Sequence, residues 1–323
     1  MGTFTKVGAT ELATLADAFG LGVLVSHRAI AAGTINSNFE LVTAQGRFFL
    51  RINEGKREED VAWEAQLVAA LAAAGVTTPP PLVARDGRPY APHADKWASM
   101  FPWREGEHVH EVTQGHAHAF GAALAALHVA GLALPATWRR ESIYDHDHIV
   151  ARFAGFSRTS DPQLAHAIAI LGEELAVAHD AMPIRARATH GIIHGDLFRD
   201  NVLWQGERIT AILDFEQASG GSLAYDLAVC INDWCVPTSA GRPPSIDLAQ
   251  ALVAGYERMR PLPAVDRDAL PYEIRAAAAR FTVTRITDVY LANVQNPAMD
   301  FRDFLSRCEA WRSPALGQLT RAV

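Results

Sequence analysis

Cysteine is scarce in this 323-residue chain: Cys230, Cys235 and Cys308 are the full complement, and no two stand in a C-x-x-C arrangement. An odd number without paired spacing argues against a disulfide framework or a zinc site and suits a reducing, cytoplasmic compartment. A basic surplus is also lacking. Lys and Arg number 29 against 36 Asp and Glu, a formal net charge of −7, and the cations are dispersed along the chain. That balance offers no positive stripe for nucleic acid or an anionic membrane. No apolar run approaches the roughly 18–20 residues that a membrane-crossing helix needs. The opening MGTFTKVGATELATLADAFG is interrupted by Thr, Asp and Glu and has no charged n-region, so it reads as no secretion signal. Lys6 stands where N-myristoylation wants Ser or Thr. Internal repeats and low-complexity tracts are absent as well.

What is present is ordinary globular composition, 49% hydrophobic and 20% charged, at a length that suits two lobes each burying a core. Residues 1–103 read as a small lobe. Thr10 is placed to cap a helix over 11–19, followed by strand-like runs at 23–30, 39–43 and 47–52, the last two joined tightly through Ala44-Gln45-Gly46. A helix over 58–74 ends at Gly75, and PPPLVARDGRPY (79–90) breaks it to begin a pair of short strands around a D-G turn. Residues 104–323 read as a larger, mainly helical lobe, with helices over 113–130, 145–156, 161–180, 223–235, 245–259 and, in two or three pieces, 266–311. Asp161-Pro162 has the form of an N-cap followed by N1. Short apolar runs at 191–194, 201–204 and 209–215 predict small buried strands with a polar loop at their ends.

That loop, HGDLFRDNVLW (194–204), concentrates the chemistry. His194, Asp196 and Asn201 spell H-x-D-x-x-x-x-N, and Asp214-Phe215-Glu216 closes an apolar strand thirteen residues after the Asn. Two Asp and an Asn so placed suit phosphoryl transfer, which needs a carboxylate near an acceptor hydroxyl and hard oxygen ligands for magnesium. Taken singly, each is better explained as a side chain capping a buried turn, and it is the joint pattern that points to the chemistry. In the helix over 58–74, Glu64 shares a face with Val61, Val68 and Leu71, so it points inward and needs a cation.

The loop and the D-F-E triplet resemble the catalytic loop and D-F-G motif of the protein-kinase-like superfamily. The resemblance implies an α+β bilobal fold, with an antiparallel sheet in the small lobe and a mainly helical second lobe. It also implies ATP and Mg²⁺ as cofactors. Asp196 would then be the base, and Asn201 and Asp214 the metal ligands; His194 and Asp200 would hold the loop, and Asp226 would brace its backbone. Gly195 replaces the Arg that reads a phosphorylated activation loop. The stretch from Asp214 to Tyr225 is too short to present a peptide, and no A-P-E follows. The chain is therefore most similar to the aminoglycoside-phosphotransferase-like branch, whose members phosphorylate small hydroxyl compounds. Within it, GTINSNF (33–39), HGDLFRDNVL (194–203), AYDLAVCINDWC (224–235) and TRITDVY (284–290) resemble the homoserine kinases.

On that resemblance Arg51 occupies the register of the V-A-I-K lysine, with Glu64 as its ion-pair partner. Gly33, Asn36, Ser37 and Asn38 stand where the nucleotide loop belongs, although only Gly33 resembles a glycine-rich loop. Arg199 replaces an expected Pro. Homoserine would need a cation for its carboxylate and an anion for its ammonium, and Asn232, Asp233, Arg280, Arg285 and Asp288 are the candidates. Arg285 and Asp288, three apart, are also spaced to pair with each other. The implied activity is phosphorylation of L-homoserine to O-phospho-L-homoserine in threonine biosynthesis. The alternatives are a kinase for another amino alcohol, a sugar-like compound or an aminoglycoside, and, in a different class, an inactive kinase-like binding module. Small-molecule acceptor and ATP are the implied partners; oligomeric state is left open.

Overall fold

The computed structural model describes residues 5–30, 36–236, 243–313, 316–317 and 319. The chain forms two compact units, one from Met1–Gly106 with Thr210–Glu216, the other from Glu107–Ile209 with Gln217–Val323.

The first unit opens with α1 (Ala9–Ala18). Its N-cap is Gly8 rather than Thr10, because the Glu11 carboxylate reaches back to accept from the Gly8 N–H at 2.8 Å, which places the helix start two residues earlier. A five-stranded antiparallel sheet follows in the order β1-β2-β3-β5-β4, with β1 (Leu24–Ile30), β2 (Ser37–Thr43), β3 (Gly46–Asn53), β4 (Ala91–His93) and β5 (Lys96–Pro102). Alternation does the sorting: Phe39 and Leu41, Leu50 and Ile52, and Ala98 and Met100 turn one way into a core with Leu12 and Leu15 of α1. Arg51, between Leu50 and Ile52, turns the other way toward α2 (Glu58–Ala73), which ends at Gly75 with φ +91°. The D-G turn forms, with Gly87 at φ +86°, but the strand pair lies further on, around Ala94-Asp95. Pro79, Pro80 and Pro81 lack the N–H groups a ladder needs, so residues 79–90 stay irregular.

The second unit is built from α3 (Gln114–Ala133), α4 (His146–Phe156), α5 (Ala165–Asp180), the single turn α6 (Met182–Arg185), α7 (Leu223–Trp234), α8 (Ile246–Met259), α9 (Ala264–Arg285) and α10 (Phe301–Ala310). A π-helical turn, Ile286–Tyr290, continues α9. Strand β6 (His190–Ile193) pairs antiparallel with β9 (Ser219–Ser222), and β7 (Val202–Gln205) pairs with β8 (Arg208–Ile212), along which the chain passes into the first unit. Asp161 does not cap a helix. Its carboxylate accepts from the Gln163 N–H, making a separate turn, and α5 starts only at Ala165.

Contrary to the sequence reading, α3 is long and apolar enough to cross a membrane by length and composition. Its apolarity serves packing, since Phe120, Leu124, Leu127 and His128 are fully buried. It meets α8 backbone to backbone: a Cβ on Gly121 would lie 2.0 Å from the Leu252 carbonyl oxygen, and one on Gly255 1.9 Å from that of His118. Only glycine permits that approach. His128 ties the layers together, bonding the Tyr256 hydroxyl at 2.7 Å and the Asp226 carboxylate at 3.0 Å. All three cysteines are free and buried.

Candidate active site

In the second unit the H-G-D loop is suspended from the first turn of α7. The Asp226 carboxylate, with no exposed surface, accepts from the His194 and Gly195 N–H groups, both at 2.8 Å, and from His128. Burial pushes its pKa up, but His128 and the backbone donors outweigh that and hold it below the usual range, so it stays an acceptor. Gly195 sits at φ +78°, and a Cβ there would come 3.1 Å from the Gln217 carbonyl. Glycine at this position is thus a backbone requirement of the turn as well as the absence of a phosphate-reading Arg. His194 is fully buried.

The turn delivers Asp196 to a fixed donor. Gln217 Nε2 donates to Asp196 Oδ2 at 3.0 Å, while Gln217 Oε1 accepts from Arg280 Nη2. Arg280 is itself held between rings, its Cζ 4.0 Å from the Tyr144 centroid and 3.7 Å from that of Phe281. Asn201 Nδ2 donates to the Asp196 carbonyl at 2.8 Å, which leaves Oδ1 as the atom presented outward. Arg199 replaces the expected Pro with a use of its own: its N–H and Nε donate to Asp233 at 2.8 and 3.2 Å. Asp200 is exposed and its pKa is raised by desolvation and Asp233.

Of the proposed substrate contacts, Arg280 joins the Asp196 group through Gln217, and Asp233 joins the loop through Arg199. Asn232 does not serve a ligand. It has no exposed surface, Nδ2 donates to the Ala228 and Ile274 carbonyls, and Oδ1 accepts from Trp311 Nε1 at 3.0 Å. Asp288 is half-exposed and paired with Arg152 at 2.7 Å. Arg285 does not pair with it; the π-helical turn alters the spacing, and Arg285 instead donates to the Asp300 carbonyl at 2.9 Å and lies 3.5 Å from Asp303.

In the first unit the cation expected for Glu64 is present: Arg51 Nη2 to Glu64 Oε1 measures 2.6 Å, with both side chains buried. Lys56, which sequence reasoning missed, bridges Glu64 at 3.0 Å and Glu216 at 3.2 Å. Arg51 also lies 3.3 Å from Glu216 and 3.5 Å from Asp214. Burial raises the Glu64 pKa, but Arg51 and Lys56 together pull it well below the ordinary range. Asp214 is shifted upward, by desolvation first and then by the Glu216 carboxylate, against Arg51. Its backbone lies at φ +60°, unusual for a residue other than glycine, and its side chain is 47% exposed. Two cations thus face three carboxylates.

Two of the nucleotide-loop candidates, Asn36 and Ser37, are engaged locally. Gly33 lies outside the described residues. Asn36 donates to Glu216 and accepts from the Glu54 N–H, and Ser37 donates to Glu54 at 2.7 Å. These bonds fix the start of β2. Asn38 sits in β2 directly opposite Arg51. Besides Lys56, sequence reasoning missed Glu216 and Gln217. Glu216 was visible as the departure from Gly in the D-F-E triplet, whereas nothing local marks Gln217.

Residues 26–262 match the model of the phosphotransferase enzyme family. A homoserine kinase of Bradyrhizobium sp. strain BTAi1 is 34% identical over 289 residues, covering 89% of this chain and 87% of that one. A homoserine kinase of Gluconacetobacter diazotrophicus is 36% identical over 291 residues, covering 89% of each. Among solved structures, a spectinomycin phosphotransferase in complex with ADP and spectinomycin superposes with a TM-score of 0.70 at 15% identity, over 99% of this chain and 100% of that one.

Proposed function

The chain belongs to the phosphotransferase enzyme family, and from that premise we propose that it transfers the γ-phosphoryl group of ATP to the hydroxyl of L-homoserine. The observation that carries the substrate is the 34–36% identity to homoserine kinases, sustained over 89% of the chain. The nucleotide is supported by the kinase-like fold and by the ADP bound in the spectinomycin enzyme. Three free, buried cysteines suit a cytoplasmic setting.

In this reading Asp196 accepts the acceptor hydroxyl's proton, and Gln217, anchored by Arg280, fixes which carboxylate oxygen is turned toward it. Asn201 and Asp214 are the magnesium ligands. The donor set fits: Asn201 has its nitrogen engaged and its Oδ1 available, and Asp214 offers a half-exposed carboxylate in a region with one excess negative charge. Magnesium, when bound, would neutralise charge on the phosphates. Arg51 and Lys56 are the cations for those phosphates, and Glu64 pairs with both.

The decisive assay supplies ATP, Mg²⁺ and a panel of L-homoserine, L-serine, amino alcohols, choline and aminoglycosides, and follows the product by ³¹P NMR. Homoserine should give the highest kcat/KM. Robust turnover of another acceptor with none of homoserine would overturn the substrate assignment.

A further inference from the structure

Arg307, in the last turn of α10, is a half-buried cation with no ion pair among the described residues. Its Nε and Nη1 are shut off from solvent, and no described residue supplies either with a hydrogen-bond acceptor. Its Cζ lies 3.9 Å from the centroid of Phe304, and Arg285 approaches the same ring at 4.5 Å. Phe304 is packed in turn against Phe281 at 4.8 Å and Phe198 at 5.8 Å, so an aromatic wall runs from α10 to the loop that carries Asp196. The nearby carboxylates are committed elsewhere: Asp233 to Arg199, Asp303 to Arg285, and Asp300 to Arg302. Desolvation lowers the Arg307 pKa to about 10, and the neighbouring Arg285 acts in the same direction, yet the group remains charged at neutral pH. The charges acting on Arg285 include Asp196 itself.

Two like charges sharing one ring, one of them without an acceptor, form an arrangement completed by an anion. A guanidinium fork matches a carboxylate in two parallel hydrogen bonds. We infer that Arg307, with Arg285 beside it, is the subsite that binds the α-carboxylate of the acceptor amino acid while its hydroxyl is presented to Asp196. This deepens the homoserine reading and rests on it. It also names what would separate homoserine from 3-aminopropanol, the same molecule without its carboxylate. A site built around a buried charge discriminates strongly against a ligand that leaves that charge unpaired.

The test compares the full chain with Arg307→Met, which keeps the stem on Phe304, and Arg307→Lys, which keeps the charge and loses the fork. Steady-state kinetics are measured with L-homoserine, 3-aminopropanol and ATP as varied substrates, with circular dichroism melts as a check on folding. Arg307→Met should raise KM for homoserine about 100-fold, while kcat/KM for 3-aminopropanol and KM for ATP stay within about two-fold of wild type. Arg307→Lys should recover part of the loss. Equal losses on both acceptors, a rise confined to the ATP KM, or an unchanged homoserine KM would each overturn the assignment. The two readings fail differently. If wild type phosphorylates another carboxylated alcohol and not homoserine, the substrate falls; the same comparison then tests Arg307 with that acceptor and its carboxylate-free counterpart. If wild type acts only on carboxylate-free alcohols, both fall.

Discussion

The two units handle charge in opposite ways. Around Arg51 the first unit holds Arg51 and Lys56 against Glu64, Asp214 and Glu216, so each cation is shared by at least two carboxylates and the cluster carries one surplus negative charge. Around Asp196 the second unit gathers Arg199, Arg280, Arg285 and Arg307, pairs Arg199 and Arg285 with aspartates, gives Arg280 a neutral glutamine, and leaves Arg307 Nε and Nη1 without an acceptor among the described residues. The first arrangement is closed on itself and suits a cation; the second is open and suits an anion. Buried pairs cost more to break than to form, whereas an open buried charge costs stability until a ligand meets it. The closed cluster should therefore register mutations in folding as well as in nucleotide binding, and the open one chiefly in turnover.

The largest effect expected on the open side is from Asp196→Asn. Replacing the carboxylate with its isostere should lower kcat about 10³-fold, the usual worth of a general base. The melting temperature and the affinity for Mg²⁺-ATP should change little, and isothermal titration beside a turnover assay reads both. Near-normal kcat would remove Asp196 as the base. On the closed side the counterpart is Glu64→Gln. It leaves Arg51 and Lys56 with Glu216 and Asp214 but removes the charge that lies 2.6 Å from one and 3.0 Å from the other. Breaking a buried pair should cost about 3 kcal/mol, measured as a lowered urea midpoint. A variant as stable as wild type would show that the cluster is not closed in the sense described.

What could be read from the sequence follows the same division between local and distant. The Asp196 loop was legible because His194, Asp196 and Asn201 fall within eight residues and take their meaning from spacing. Glu64 was legible because helix periodicity put it among apolar neighbours, and Asp226 because it opens the helix after the D-F-E triplet. Gln217 and Arg307 were not. Gln217 acquires its role from Arg280, sixty-three positions later, and Arg307 from an aromatic wall drawn from three separate segments. Asn232 misled for the same reason: a polar residue on the right helix, it is covered by Trp311 from the far end of the chain. The apolarity of α3 was likewise unreadable without the glycine contact to α8 that buries it.

Acid offers the smallest and most direct separation of the two units. In the first, Glu40, Glu54 and Glu64 all titrate below their ordinary range, with Asp214, raised by desolvation and Glu216, working against them. Glu54 illustrates the balance: burial pushes it up, but Lys96, Thr5 and Ser37 bring it down to about 2 from 4.5. A carboxylate depressed in the folded state stabilises fully above its unfolded pKa and loses that contribution as pH falls toward the folded value, here from about 4.5 to about 2. In the second unit Asp200 and Glu273 are shifted upward, chiefly by desolvation, and such groups give the opposite sign: their protonation in acid relieves a cost. Asp226 is depressed and works against that relief, so the second unit should change less rather than not at all. Between pH 5 and 3, hydrogen exchange should show the β2 and β3 amides losing protection before those of α7 and α9, with a difference on the order of 1–2 kcal/mol once partial exposure is discounted. Glu54→Gln should flatten the first unit's response in that window. Loss of α7 protection first, or simultaneous loss in both units, would mean that the contrast in charge pairing does not reach their stabilities.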